Sequence, residues 1–556
     1  MASPTPSAFA VLDRFTVIVM LVLGSSAIAV AGHRAEPPSS RPDEPAFASA
    51  ALAPPDADFL LRIRGFPKVW SSLATAPIGR YLAATFGASD LAVAWRRFVE
   101  ERGEDPRAMA AELLREDATW IARRRGGDEE WVLLTRLDDS TRRRLLANWR
   151  PRPLGRGWFE LEREGILLVD AAPHLAIADS SSRDLLVAVI SRLSGIGEPG
   201  SLRDAWRIHD RAEIRGGEIE CYLDRRPWSD EALLATATLT PGALVAELHA
   251  AKPDAEAIAN RSSLAIDADF ASLVGSLESE HLVVVASAAG VPMPFASEWL
   301  AALPESAIAP ALGSAAASRR IWVVGESCGG SDDPDRDLPT PAIAFAVELR
   351  DPGQAEQRLD RWGEALAAGF NRRFPKLASP PLAATSTLDG GSIDLGPLLV
   401  RTLGSHPLSR RMRIDWSVVS GDRGSWAVVA SGPAWLRSLQ GAFESGSASF
   451  EPTDPAVERS ASARELEAAI QEGWIRGDRV GRHFERWVES ADRLASEEDR
   501  EAFANRWRRV AEAARAIGEV RWTVVRSPSG SVRTAIRIGL PDAADAVRPD
   551  SPSGED

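Results

Sequence analysis

Five residues, Gly325-Glu326-Ser327-Cys328-Gly329, match the G-x-S-x-G spacing of a serine nucleophile. That chemistry needs a sharp strand-to-helix turn, which lifts the hydroxyl clear of a sheet, and a histidine base oriented by an acid. A strand-like run at 320–324 precedes the motif, but Gly330-Ser331-Asp332-Asp333-Pro334 follows it and reads as a loop. The chain order serine, acid, histidine leaves His406 and His483 as bases, neither in a recognisable context. A serine hydrolase using Ser327 is thus the alternative expectation, and a polar loop after a strand the main one.

Other spacings fail in their surroundings. Gly195-Ile196-Gly197-Glu198-Pro199-Gly200 fits G-x-G-x-x-G, but it follows a helical pattern, whereas a dinucleotide fingerprint needs strand then helix. It reads as a helix stop and linker. Asp333, Asp335 and Asp337 alternate as in a calcium loop, yet Leu338 stands where glycine is needed and no acid closes the twelfth position. His33, His174, His209, His249, His281, His406 and His483 never pair at i, i+4, and H-E-x-x-H is absent. Acids are too many for a glycosidase pair to be picked out by spacing. No catalytic, cofactor-binding or metal residue is assigned, and no cofactor is expected.

The chain of 556 residues is 45% hydrophobic and 26% charged, a globular balance with length for more than one domain. Its net charge of −14 repels phosphate backbones and argues against nucleic acid as a partner. The only lysines are Lys68, Lys252 and Lys376, and none follows a glycine-rich loop, so no Walker-type phosphate loop is present. Cys221 and Cys328 form neither a C-x-x-C pair nor a metal spacing; one disulfide and two buried thiols both remain open. The 18 Trp against two Tyr read mainly as core aromatics.

Residues 15–31 (FTVIVMLVLGSSAIAVA) carry no charge and precede a Pro-, Ser- and acid-rich linker. Ala29-Val30-Ala31 suits signal peptidase, whereas the length suits an uncleaved anchor. Either way the body is expected outside the cytoplasm, periplasmic or secreted, or anchored with membrane contact through 15–31.

The rest of the chain divides into a linker at 32–57, a first repeat at 58–195, a connecting region at 196–280 and a second repeat at 281–445. A helical segment with a closing hairpin follows at 446–540, with 462–474, 478–494 and 497–517 as its helices, and then a disordered acidic tail at 541–556. Asp138, Leu146 and Trp149 match Asp351, Leu359 and Trp362 at one constant offset along helices that follow strands. The corners Ala178-Asp179-Ser180 and Ala430-Ser431-Gly432 are also alike. The fold class expected is α+β: a duplicated β-α-β-β-β-α unit with mostly antiparallel sheets, plus the C-terminal helices and hairpin.

The element order, the leading apolar segment, LRDPGQAEQRLDRW (349–362) and SWAVVASGPAWLRSL (425–439) together resemble an uncharacterised bacterial exported α+β family, catalogued only as a domain of unknown function. The resemblance covers most of 51–445 and implies no activity or site residue. The function expected is a non-enzymatic cell-envelope module for binding or assembly. Its partner would be an envelope protein or an apolar ligand.

Overall fold

The structure, a computed structural model, describes residues 47–67, 69, 97, 99–102, 104–125, 128–196, 200–205, 216–223, 233–240, 243–250, 270, 273–277, 281–288, 305–326, 341–373, 381–387, 390–395, 413–422, 424–444, 469–490, 500–526 and 532–539. The chain forms two compact units, 1–254 with 531–556, and 255–530. The fold is α+β, and every strand pairing is antiparallel. Residues 15–31 lie outside the described residues. Among those described, no helix is long and apolar enough to cross a membrane, which says nothing of strands.

In the first unit β1 (Phe59–Arg64) leads to α1 (Pro106–Leu113), β2 (Asp117–Arg125) and β3 (Asp128–Arg136). Then come α2 (Asp139–Trp149), β4 (Arg152–Gly155), β5 (Trp158–Leu161), β6 (Ile166–Ala171), β7 (His174–Asp179) and α3 (Arg183–Leu193). The short helix α4 (Leu202–Ala205) precedes β8 (Ile219–Leu223), β9 (Leu233–Thr240) and β10 (Ala243–Ala250). Pairing runs β10-β9-β8-β1-β2-β3-β7-β6-β5-β4.

Alternation divides this sheet between two cores. Phe59, Leu61 and Ile63 of β1 point to one face, with Leu168, Leu175 and Cys221, and are covered by α1 (Met109, Leu113) and α2 (Leu145, Trp149). Leu60 points to the other face, with Ile121, Val132 and Tyr222, and is covered by α3 (Leu185, Leu186, Val189) and by Phe47 and Ala50.

The second unit follows the same plan. Its elements are β11 (Val283–Ala288), α5 (Glu305–Leu312), β12 (Ala316–Glu326), β13 (Pro341–Leu349), α6 (Pro352–Arg373), β14 (Ala384–Thr387), β15 (Gly390–Asp394), β16 (Arg413–Gly421), β17 (Gly424–Ala430), α7 (Pro433–Glu444) and β18 (Ala469–Arg476). Two helices, α8 (Gly477–Glu489) and α9 (Arg500–Ile517), separate β18 from β19 (Glu519–Arg526). Pairing runs β19-β18-β11-β12-β13-β17-β16-β15-β14, matching β9-β8-β1-β2-β3-β7-β6-β5-β4 strand for strand. The chain then returns to the first unit with β20 (Val532–Gly539), which pairs with β10.

Equivalent positions carry equivalent contacts. Asp138 caps α2 by accepting from the Thr141 amide, and Asp351 caps α6 by accepting from the Gln354 amide. The strand amides beside the β7 and β17 ends, Trp131 and Ile343, are also equivalent, and each donates to a serine hydroxyl of the following corner, though from different corner positions: Ser431 Oγ at 3.0 Å stands directly after Ala430, whereas Ser182 Oγ at 2.8 Å stands beyond Asp179. The duplicated order expected from the sequence is thus present, and it is larger than expected. Residues 196–280, read as a connector, hold β8, β9 and β10, which extend the first sheet.

One expected helix is corrected. Residues 462–474 carry helix-forming residues, but 469–476 are strand β18, and 462–468 lie outside the described residues. β18 is paired on both edges and buried on both faces through Ala469, Ile470 and Trp474, so it shows no polar alternation to betray it. The edge strands β4 and β14 were not expected either. The four residues of β4 are all exposed and include Pro153, so apolar periodicity has nothing to read. The runs expected as a closing hairpin are strands β19 and β20; the turn between them lies outside the described residues.

Because a lost N-cap costs about 1 kcal/mol, Asp138→Ala and Asp351→Ala are each expected to lower stability by about that amount in urea unfolding. A change in one variant only would break the equivalence of the two helices.

Candidate functional site

Gly325, the first residue of the G-x-S-x-G match, lies inside β12 opposite Ala342 rather than at a strand-to-helix corner. Its missing side chain is the seat of the α7 indole: a Cβ there would come within 2.1 Å of the Trp435 ring. Packing therefore accounts for this glycine. Ser327, Cys328, His406 and the alternating Asp333, Asp335 and Asp337 lie outside the described residues. His483 is buried in α8, and its Nε2 accepts from Trp487 Nε1 at 3.2 Å. Burial pushes it down to about 4, so it is neutral at pH 7. His281 is buried edge-on to Trp435, and burial, with Arg479 adding to it, also brings it to about 4.

The second glycine match behaves as a helix stop. Gly195 takes a positive φ of 71° after α3. Its amide donates to the Arg192 carbonyl and that of Ile196 to the Ser191 carbonyl, the double bond of a Schellman cap. Cys221 is a free thiol in the first core, pushed by burial up to about 12 and so unreactive as a nucleophile. Among the described residues no group of three or more His, Cys, Asp or Glu is placed to hold a metal.

Two charged clusters occupy the first unit. The fully buried Glu220 of β8 meets Arg64 at 2.5 Å and Arg62 at 3.7 Å across β1. The Phe47 amide also donates to it. Burial raises its carboxyl above the usual range, and Arg64 and Arg62 oppose that rise. Arg62 also grips Asp117 of β2 at 2.5 Å. This is an ion cluster with Arg62 and Glu220 buried and with Arg64 and Asp117 partly exposed at its edge. On the surface, a cleft of about 720 Å³ lies between the end of α2 and β5. All five of its glutamates are engaged: Glu164 by Arg102 (2.6 Å), Glu162 and Glu160 by Arg152, Glu104 by Asn148 (2.6 Å) and Glu101 by Arg97 and Arg163. Arg97, through its hydrogen bond, holds the Glu101 carboxyl below its ordinary value, the reverse of what a general acid needs.

The second unit offers a different surface. Phe484 of α8 stacks on Trp507 of α9, with centroids 4.8 Å apart, and Trp487 stacks on Phe503 at 6.3 Å. Trp487 and Trp507 touch at 5.1 Å. The helices approach closely below this seam, because a Cβ on Gly481 would lie 2.9 Å from the Ala511 carbonyl oxygen. All four rings remain half-buried instead of closing into a core. The sequence showed aromatic residues at i, i+4 in α9 (Phe503, Trp507) and at i, i+3 in α8 (Phe484, Trp487), but which faces meet is set by the close crossing at Gly481.

Comparison with known proteins gives no match: no family model, no curated protein and no solved structure is similar to the chain. No match therefore bears on the resemblance expected to an uncharacterised exported family, and no residue takes a role from it.

Two outcomes follow. Gly325→Ala is expected to destabilise the fold by about 1–3 kcal/mol through overpacking against Trp435. An unchanged unfolding midpoint would free the glycine for another role. The buried histidines make stability depend on pH. Their folded values lie below the ordinary 6.5, so the unfolded chain takes up protons first. Their contribution is whole above pH 6.5 and is lost as pH falls toward 4. In His281→Leu the slope of stability over that interval should flatten by at most about 1.4 kcal/mol per pH unit, one proton's worth. A parallel slope in wild type and variant would show His281 to be outside this linkage.

Proposed function

We propose that this protein is a non-enzymatic binding or assembly module of a bacterial cell envelope, exported or membrane-anchored, and that the α8–α9 hairpin is its contact surface. The observation that carries the reading is the half-buried aromatic seam of Phe484, Trp487, Phe503 and Trp507. Aromatic anchors of this kind dominate the energetics of interfaces, since they bury large area with few rotatable bonds. The charged clusters described in the first unit support it from the other side: their carboxylates are paired with arginines or amides and none is set apart as an acid or base. The apolar run at 15–31 supports placement at the envelope.

The full chain, extracted gently from its membrane fraction, is expected to carry a protein or lipid in constant ratio in native mass spectrometry. Trp507→Ala should lower that affinity at least about tenfold. A bare wild-type chain would overturn the proposal. So would full retention of the bound partner by the variant.

A further inference from the structure

The charge around the aromatic seam identifies what it meets. The chain carries −14 overall, yet α9 holds Arg500, Arg506, Arg508, Arg509 and Arg515 against Glu501 and Glu512. Arg506 and Arg508 are exposed, and among the described residues neither pairs with a carboxylate. The Arg506 guanidinium lies 5.6 Å over the Trp507 ring, and Arg508 donates to Asn505 Oδ1 at 2.7 Å. Many of the other described arginines, among them Arg62, Arg102, Arg123, Arg142 and Arg152, are bound to Asp or Glu. By helix geometry Arg506 and Arg508 lie about 100° to either side of Trp507. They therefore border the aromatic stripe on both flanks.

An apolar aromatic stripe bordered by unpaired cations is the pattern of a helix that lies in a membrane interface. The rings enter the boundary between headgroups and acyl chains, and the long guanidinium side chains reach back to anionic phosphates. A protein partner would need an acidic rim to match the same cations. A lipid surface supplies that charge over its whole area. Resting on the binding reading above, we infer that the α8–α9 hairpin docks on an anionic lipid surface through Phe484, Trp487, Phe503 and Trp507, with Arg506 and Arg508 on the headgroups.

The test uses the full chain and vesicles of phosphatidylcholine, alone or mixed with phosphatidylglycerol, each doped with a phosphatidylcholine bearing a photoactivatable acyl chain. Cross-linked peptides are then mapped by mass spectrometry. Labelling is expected within 477–517 on the anionic vesicles. It should fall about tenfold or more on neutral vesicles, and by a similar factor in the double variant Arg506→Gln, Arg508→Gln. Both substitutions are at exposed positions, so the variant's urea unfolding should match wild type and certify its fold. Labelling confined to 15–31, or equal labelling of the hairpin on both vesicle types, would overturn the inference. A stoichiometric protein partner covering 477–517 in the native complex would overturn it as well, while leaving the binding reading intact. A bare native chain together with an unlabelled hairpin would remove both.

Discussion

Each unit is held together by the strand that is first in sequence among its described residues and lies between two others. β1 sits between β2 and β8, and β11 sits between β12 and β18. Neither sheet is complete until a segment more than a hundred residues away returns to the other edge of that first strand. Loop closure must therefore be met before the pairing is gained, a topology that folds slowly. In the first unit the return is fixed by charge. Glu220 arrives on β8 opposite Arg62, fully buried between two guanidinium groups. A one-residue slip would turn Glu220 into the apolar face and leave Arg62 buried without it. The cluster contributes register more than net stability.

The second unit fixes its register with flat surfaces. Trp416 lies where a Cβ on Gly363 or Gly391 would be 2.4 Å away, Trp522 lies over Gly473, and Trp435 lies over Gly325. Each indole seats on bare backbone, so ring and glycine are one device. This gives three of the 18 tryptophans a structural role. It also shows why a glycine-containing motif can look catalytic in a sequence: the spacing records where a ring from another element lands, and that partner is remote in the chain.

The legible parts were those with local causes. Asp138 and Asp351 announce helix starts because an N-cap works within four residues, and β1 or β17 announce themselves by β-branched and aromatic runs between turns. The matching offset of the two capped helices carried the duplication. What escaped depended on distant partners. β18 is a strand because β11 and β19 claim both its edges, although Ala469 and Ile470 suit a helix equally well. β4 is a strand only because β5 is beside it. The aromatic seam was present as spacing in α8 and α9, but nothing short of the close crossing at Gly481 says that the two stripes face one another. Asp138, Glu101 and His483 illustrate the same division for electrostatics: the first is shifted by its own neighbours in sequence, the second by Arg97 one turn away and by the remote Arg163, the third by burial.

The last described strand belongs to the first unit. β20 completes the edge at β10, with Arg533 reaching Glu247 at 3.1 Å, although nearly three hundred residues separate them. A ribosome makes β10 long before it makes β20. Throughout that interval β10 carries a row of unpaired amides and carbonyls, open to any passing strand. The order of synthesis thus leaves this nascent chain with a sticky border that only its own final segment closes, and a chain that stops early keeps that border for good.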